Sequence, residues 1–333
     1  MTTEPLTLLL AGRNAAPRKE LMQNLLTTPW NILTWSEDED YSRFIELAPQ
    51  ADVAVAGSID CPWPKSPKLK LRHVPSTGIN WVTPEDMPKG CIVCNTFGHE
   101  IAIAEFILAY MLESAIGLSK LDRKFRKQYW ADYNPGIGPN HLELHSKTVG
   151  IVGYGHIGRE VAARCKAFGM NIIATSRTVY PAPELSWFGG MDELDKLLSE
   201  SDYVVMTLPL ADETKGMMNA QKFALMKSDA VFINVGRGLV VDEEALYNSL
   251  VEDRIRGAAI DVWYQYPNAD NKNPTPSKYP FEQLDNVIMT PHCSGSTDAM
   301  RERRWTVIAK NLDNFARGEP LDNVCFQGTR EDG

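Results

Sequence analysis

The chain has 333 residues, 44% hydrophobic and 23% charged, which at roughly 150 residues per domain suggests two domains, each able to bury its own core. Its 34 basic residues stand against 43 acidic ones, a formal net charge of −9, the wrong sign for a protein that coats nucleic acid or an anionic membrane. The first apolar run, residues 8–11, is too short to span a bilayer and follows Glu4-Pro5, not a basic segment, so the chain reads as unexported and cytoplasmic.

In chain order, short apolar runs at 8–11, 32–35, 52–56, 69–74 and 91–94 alternate with polar stretches of helical character, the rhythm of a parallel α/β sheet. Cys91 and Cys94 form a C-x-x-C pair within the last run. With no second pair and no redox context, a plain buried strand is a simpler reading than a metal or redox site. The six cysteines (Cys61, Cys91, Cys94, Cys165, Cys293 and Cys325) are scattered, unlike the dense framework of small secreted domains, and fit a reducing cytosol. No spacing of His, Asp, Glu or Cys suggests a metal site. Residues 100–126 carry Ile103, Phe106, Ile107, Tyr110, Met111 and Ala115 at helical spacing and predict one long helix. Its basic end, 120–127, suits a solvated helix C-terminus.

The loop 130–140, rich in Gly, Pro and Asn, marks a domain boundary or an arm. The pattern then restarts: strands at 148–152, 171–176, 203–208, 230–235, 258–262 and 287–290, a helix at 157–168, and a long loop at 267–280. The last helix, 297–317, has Trp305, Ile308, Leu312 and Phe315 to spare for packing on the first block. The predicted architecture is α/β, two domains that are each a parallel sheet flanked by helices: a discontinuous one, 1–113 with 297–333, and a second, 114–296.

Gly153-Tyr154-Gly155-His156-Ile157-Gly158 is a G-x-G-x-x-G directly after an apolar strand and opening an amphipathic helix, the context a dinucleotide pyrophosphate needs. The glycines allow a tight turn and close backbone approach, and the helix start offers N–H groups to phosphates. About 20 residues on, a carboxylate for the ribose 2′-hydroxyl is expected. The chain instead has Ser176-Arg177-Thr178, a guanidinium flanked by hydroxyls that suits a 2′-phosphate and favours NADP(H) over NAD(H). The plainer reading is a surface arginine after a strand.

Three further strand ends carry polar groups where ligands bind in open α/β sheets: Asn234-Val235-Gly236-Arg237-Gly238, Asp261-Val262-Trp263 and Thr290-Pro291-His292-Cys293-Ser294-Gly295. With these, the 144–158 segment and Leu208-Pro209-Leu210 with Thr214, the chain resembles the D-isomer-specific 2-hydroxyacid dehydrogenases over about residues 51–324. The resemblance implies a flavodoxin-like substrate domain beside a Rossmann domain, and a homodimer with the 130–140 loop as a candidate arm. It implies that Arg237 grips the carboxylate and carbonyl of a small anionic 2-oxo or 2-hydroxy acid in a closed interdomain cleft while His292 donates the proton. A forked cation and a His titrating near neutrality suit those tasks. It further implies a substrate-carboxylate loop at Ser76-Thr77-Gly78, a nicotinamide contact from Asp261, and cofactor contacts from Leu208, Pro209, Thr214, Val235 and Gly295.

One position departs from the family pattern. The glutamate expected five residues after Asp261, which pairs with the histidine, is Tyr266. A phenol supplies a hydrogen bond but no charge at neutral pH, so the protonated state of His292 is expected to weaken at lower pH than in ordinary relatives. Either Tyr266 serves as the partner or another carboxylate does. Glu100, at the start of the long helix, is the candidate, with helix-terminal charge complementarity as its plainer role. Cys293 reads as a wall residue or a redox-sensitive thiol, and Trp263, Tyr264 and Tyr266 as pocket-shaping or floor-filling. Two other functions stay open: oxidation of a small anion such as formate, and a non-catalytic dinucleotide-sensing scaffold like the family's corepressor relatives.

Overall fold

The computed structural model describes residues 4–79, 81–130, 140–268 and 270–332. The chain divides into two compact units, Met1–His99 with Thr297–Gly333, and Glu100–Ser296.

The first unit opens with β1 (Leu6–Ala11), α1 (Lys19–Leu25), β2 (Trp30–Trp35), α2 (Tyr41–Leu47), β3 (Val53–Ala56), β4 (Leu71–His73) and β5 (Ile92–Cys94). The second unit follows with α3 (Glu100–Ile116), α4 (Leu118–Phe125), β6 (Thr148–Val152), α5 (His156–Ala167), β7 (Asn171–Thr175), β8 (Trp187–Gly189), α6 (Leu194–Glu200) and β9 (Tyr203–Met206). It ends with α7 (Ala220–Leu225), β10 (Val231–Asn234), α8 (Glu243–Val251), β11 (Gly257–Ile260) and β12 (Val287–Met289). The chain returns to the first unit as α9 (Asp298–Arg317) and β13 (Val324–Gln327).

The first sheet has the order β13-β5-β4-β3-β1-β2, parallel except for β13, which pairs antiparallel with β5. The second, β12-β11-β10-β9-β6-β7-β8, is parallel throughout. Its inner strands are almost wholly aliphatic or aromatic and buried, as strands covered on both faces must be. Chain order reverses at β6, flanked by β7 and β9, and this is where open α/β sheets leave a crevice for ligands.

Side chains start the helices: Asp40, Asn219, Asp242 and Thr297 accept backbone N–H groups of the first turns of α2, α7, α8 and α9. Trp305, Ile308, Ala309 and Leu312 of α9 share a core with Leu8, Leu10, Val53 and Val55 of the first sheet. Buried Asp313 accepts hydrogen bonds from the backbone and hydroxyls of Thr27 and Thr28.

Three expectations need correction. The first crossover between units falls after His99, not at 113/114. The cause is that Ile103, Ala104, Ile107, Leu108, Tyr110 and Met111 of α3 pack with Val161, Ala162 and Cys165 of α5. The long helix is two helices that meet at 54°, because Gly117 adopts a left-handed φ of 68°. The short strands β8 and β13 were not foreseen. Residues 131–139 of the candidate arm lie outside the described residues. No single described helix is long and apolar enough to cross a membrane.

Candidate active site

The glycine motif forms the turn between β6 and α5. Gly153 has φ 103°, and a Cβ there would come within 2.7 Å of Thr207 Oγ1, whose hydroxyl donates to the Gly153 carbonyl at 2.7 Å. Gly155 and His156 are exposed at the start of α5, a Cβ on Gly155 would meet nothing within 4 Å, and no side chain caps the helix. The turn therefore fits a pyrophosphate: open space above Gly155 and a helix start without a competing cap. Ile157 and Gly158 continue the first turn inward. Two tyrosines brace the motif. Tyr180 Oη donates to the Tyr154 carbonyl at 2.7 Å, and Tyr154 Oη donates to Glu184 at 2.6 Å.

Val152 of β6 is in register with Thr175 of β7, so Ser176, Arg177 and Thr178 begin one strand away from the glycine turn, with Arg177 and Thr178 exposed. On the other side of β6, the segment after β9 carries Leu208, Pro209 and Thr214. The buried Thr214 hydroxyl accepts from Ala211 N at 2.8 Å and donates to the Pro209 carbonyl at 2.8 Å, closing that turn.

The Arg237 loop is shaped by the asparagine and glycine of its own motif. Asn234 donates to the Arg237 carbonyl and accepts from Gly236 N. Gly238 lies against the next strand's exit, where a Cβ would come within 2.2 Å of the Trp263 carbonyl. Arg237 spends one N–H on the Gly236 carbonyl. Among the described residues no carboxylate pairs with it, so most of its donor fork is left for an anion. Val235 packs into the core.

Asp261, fully buried at the end of β11, organises the histidine turn. Its Oδ1 accepts from Thr290 Oγ1 at 2.7 Å and Cys293 N at 2.9 Å, and its Oδ2 from Ser294 N at 3.1 Å. Tyr110 of α3 bonds the same Thr290 hydroxyl, and Trp263 Nε1 donates to the Thr290 carbonyl. These bonds bracket His292, held at a left-handed φ of 55°, a conformation uncommon outside glycine. Gly295 closes the turn, half-buried.

The Nδ1 partner of His292 is Tyr266, with Oη at 2.9 Å; Oη also accepts the Trp263 backbone N–H at 3.0 Å. Loss of water around the ring pushes the His292 pKa down, the buried Asp261 carboxylate opposes this, and the Arg237 cation adds to it. Burial likewise raises the Tyr266 pKa, so the phenol is neutral in the physiological range. Glu100 is the first residue of α3, in the acidic first turn that complements the helix dipole.

In the first unit, the Ser76-Thr77-Gly78 loop follows β4. Ser76 Oγ donates to the Gly78 carbonyl, Thr77 Oγ1 to the Thr96 carbonyl, and Asn95 Nδ2 to the Thr77 carbonyl. The loop's shape is thus fixed by its own hydroxyls and by the segment after β5.

Residues 108–294 match the family model of the D-isomer specific 2-hydroxyacid dehydrogenase NAD binding domain. The chain belongs to that family. A D-3-phosphoglycerate dehydrogenase of Methanocaldococcus jannaschii is 34% identical over 265 residues, 78% of this chain but 48% of that longer protein. A glyoxylate reductase of Thermococcus onnurineus is 32% identical over 306 residues, 89% of both chains. An NADPH-dependent glyoxylate/hydroxypyruvate reductase of Sinorhizobium meliloti, solved with NADP and sulfate, superposes with a TM-score of 0.78 at 21% identity, covering 96% of this chain and 98% of that one. This 2-hydroxyacid dehydrogenase is accordingly an oxidoreductase with a nicotinamide-dinucleotide fold. Sequence reasoning missed Thr207 and Tyr180, whose hydrogen bonds join positions that no local motif connects, and it missed the anchoring role of Asp261.

Proposed function

We propose that this dehydrogenase interconverts a small 2-oxo acid and the D-2-hydroxy acid, using NADP(H) in preference to NAD(H). The reading is carried by Tyr266–His292: a histidine oriented at Nδ1 on the same sheet rim as a guanidinium fork and a phosphate-binding turn. When bound, the nicotinamide supplies or accepts the hydride. Arg237 holds the substrate carboxylate and polarises its carbonyl. In the first unit, the backbone N–H groups of the Ser76-Thr77-Gly78 loop are a further candidate for binding a carboxylate. His292, as imidazolium, gives its Nε2 proton to the carbonyl oxygen as the carbon is reduced. The neutral ring then keeps its hydrogen on Nδ1, where Tyr266 Oη accepts it. In the reverse direction Nε2 takes the hydroxyl proton.

The 2′-phosphate preference rests on Ser176, Arg177 and Thr178, the segment that follows β7 and itself contains no carboxylate. The oriented proton donor favours carbonyl reduction over formate oxidation, which has no use for one. Six unpaired thiols suit a cytoplasmic setting. A homodimer is supported by α4, in which no residue is buried and Leu118 and Phe125 stand exposed, Phe125 edge-on to Trp130.

The test is a panel of 2-oxo acids, glyoxylate and hydroxypyruvate among them, assayed with NADPH and NADH in parallel. Turnover with NADPH, and a loss of about a hundredfold or more in kcat/KM for Arg237→Ala and His292→Ala, is the expected result. No turnover with any member of the panel would overturn the proposal.

A further inference from the structure

Arg177 and Glu213 form an ion pair between the two strands that flank β6. Glu213 Oε1 lies 3.9 Å from Arg177 Nη1. Arg177 follows β7 and Glu213 follows β9, and both strands pair with β6. The pair therefore spans about two strand spacings, roughly 10 Å, at the end of β6 where the glycine turn lies. Glu213 is not loosely placed: Thr214 closes the 209–214 turn through Ala211 and Pro209, and Thr214 N and Lys215 N both return to the Ala211 carbonyl.

From this placement we infer that Glu213 is a specificity-determining residue for the cofactor, weakening recognition of a 2′-phosphate while leaving a bare 2′-hydroxyl unaffected. The inference rests on the NADP(H) reading above. Two effects act in the same direction. A phosphate monoester carries about −1.5 to −2 charge at pH 7, so it must take Arg177 away from Glu213 and then lie near the released carboxylate. A 2′-hydroxyl has no charge and meets neither cost. Both side chains are largely exposed, 88% for Arg177 and 64% for Glu213, so water and salt screen the opposition to a modest factor. Asp212, the exposed neighbour, adds negative charge but, among the described residues, forms no ion pair with Arg177, and serves as the control.

The experiment is calorimetric titration of the full-length protein with 2′,5′-ADP and with 5′-AMP, comparing wild type, Glu213→Gln, Asp212→Asn and Arg177→Ala. Glu213→Gln is expected to bind 2′,5′-ADP about three- to tenfold more tightly, with 5′-AMP unchanged and a smaller effect from Asp212→Asn. The gain should shrink in the Glu213→Gln/Arg177→Ala double variant and in high salt. If wild type favours 2′,5′-ADP and Glu213→Gln binds it no better, or both ligands shift together, the role of Glu213 is overturned and the NADP(H) reading stands. If wild type does not favour 2′,5′-ADP but Glu213→Gln does, the cofactor reading falls and the role of Glu213 holds. If neither favours it, both fall.

Discussion

Tyr266 Oη lies 2.9 Å from His292 Nδ1 and accepts the backbone N–H of Trp263. The phenol oxygen accepts Nδ1–H both from the imidazolium and from the neutral ring left when Nε2 gives up its proton, so this contact orients the ring in both states without adding charge. The imidazolium is therefore less favoured than beside a carboxylate. The His292 pKa is lowered by burial and Arg237. Reduction needs the protonated ring, so reductive kcat should fall as pH rises through a midpoint lowered from the ordinary histidine value. Tyr266→Glu should move that limb upward by about one pH unit. Tyr266→Phe should cut kcat about tenfold through lost orientation. Reductive pH–kcat profiles measure both, and a limb that stays put in Tyr266→Glu would refute the charge argument.

Asp261→Asn replaces one acceptor oxygen by an amide that cannot accept, while Thr290 Oγ1, Cys293 N and Ser294 N still point at the site. At least one buried donor loses its partner, at a cost of about 1–3 kcal/mol, and the His292 turn loosens. The expected result is a lower melting temperature with kcat reduced more than KM is raised. Steady-state kinetics and thermal melts on the same preparation check it. Loss of stability with normal kcat would show that the turn holds without Asp261.

The first unit should be acid-sensitive through His73. This buried ring contacts Thr96 Oγ1 and Asn311 Nδ2, and burial lowers its pKa to about 4, against an unfolded value of about 6.5. The native state thus binds fewer protons between these values. The stabilisation is complete above about pH 6.5 and is lost progressively as pH falls toward about 4, up to about 3 kcal/mol. Denaturant unfolding at stepped pH should show His73→Gln with a shallower acid decline than wild type. Equal slopes would remove His73 as the cause.

The exposed apolar side of α4 gives a prediction about assembly. Phe125→Glu with Leu118→Glu should shift the protein from dimer to monomer in light scattering at micromolar concentration, since two carboxylates would have to be desolvated to restore the contact. A wild-type monomer, or a variant that remains dimeric, would place the interface elsewhere or remove it.

Much of the fold is legible because buried parallel strands are runs of aliphatic residues. The prediction at 148–152 coincides with β6, and that at 203–208 overshoots β9 by its polar exit. The break at Gly117 is harder to read. Helical spacing before it and the basic stretch after it hide a backbone turn that a single glycine makes. β13 is largely exposed, short and bulged at its pairing with β5, so it has no periodic signature. The assignment of α3 to the second unit depends on which neighbour covers a helix with apolar residues on several sides. At the site, glycine spacing, Arg237, His292 and the tyrosine at 266 were visible as residues. The braces from Thr207 and Tyr180 arise only when distant segments meet.

The return of α9 to the first sheet has a consequence for biosynthesis. The second unit is continuous, so a nascent chain carries all of its strands once Ser296 has left the ribosome. The first unit must wait: Leu8, Leu10, Val53 and Val55 have no cover from Trp305, Ile308 and Leu312 until the whole second unit has been made and α9 follows it. During that interval the first sheet's strands, made before the second unit, are sheltered after it, and they are a segment that chaperones would have reason to hold.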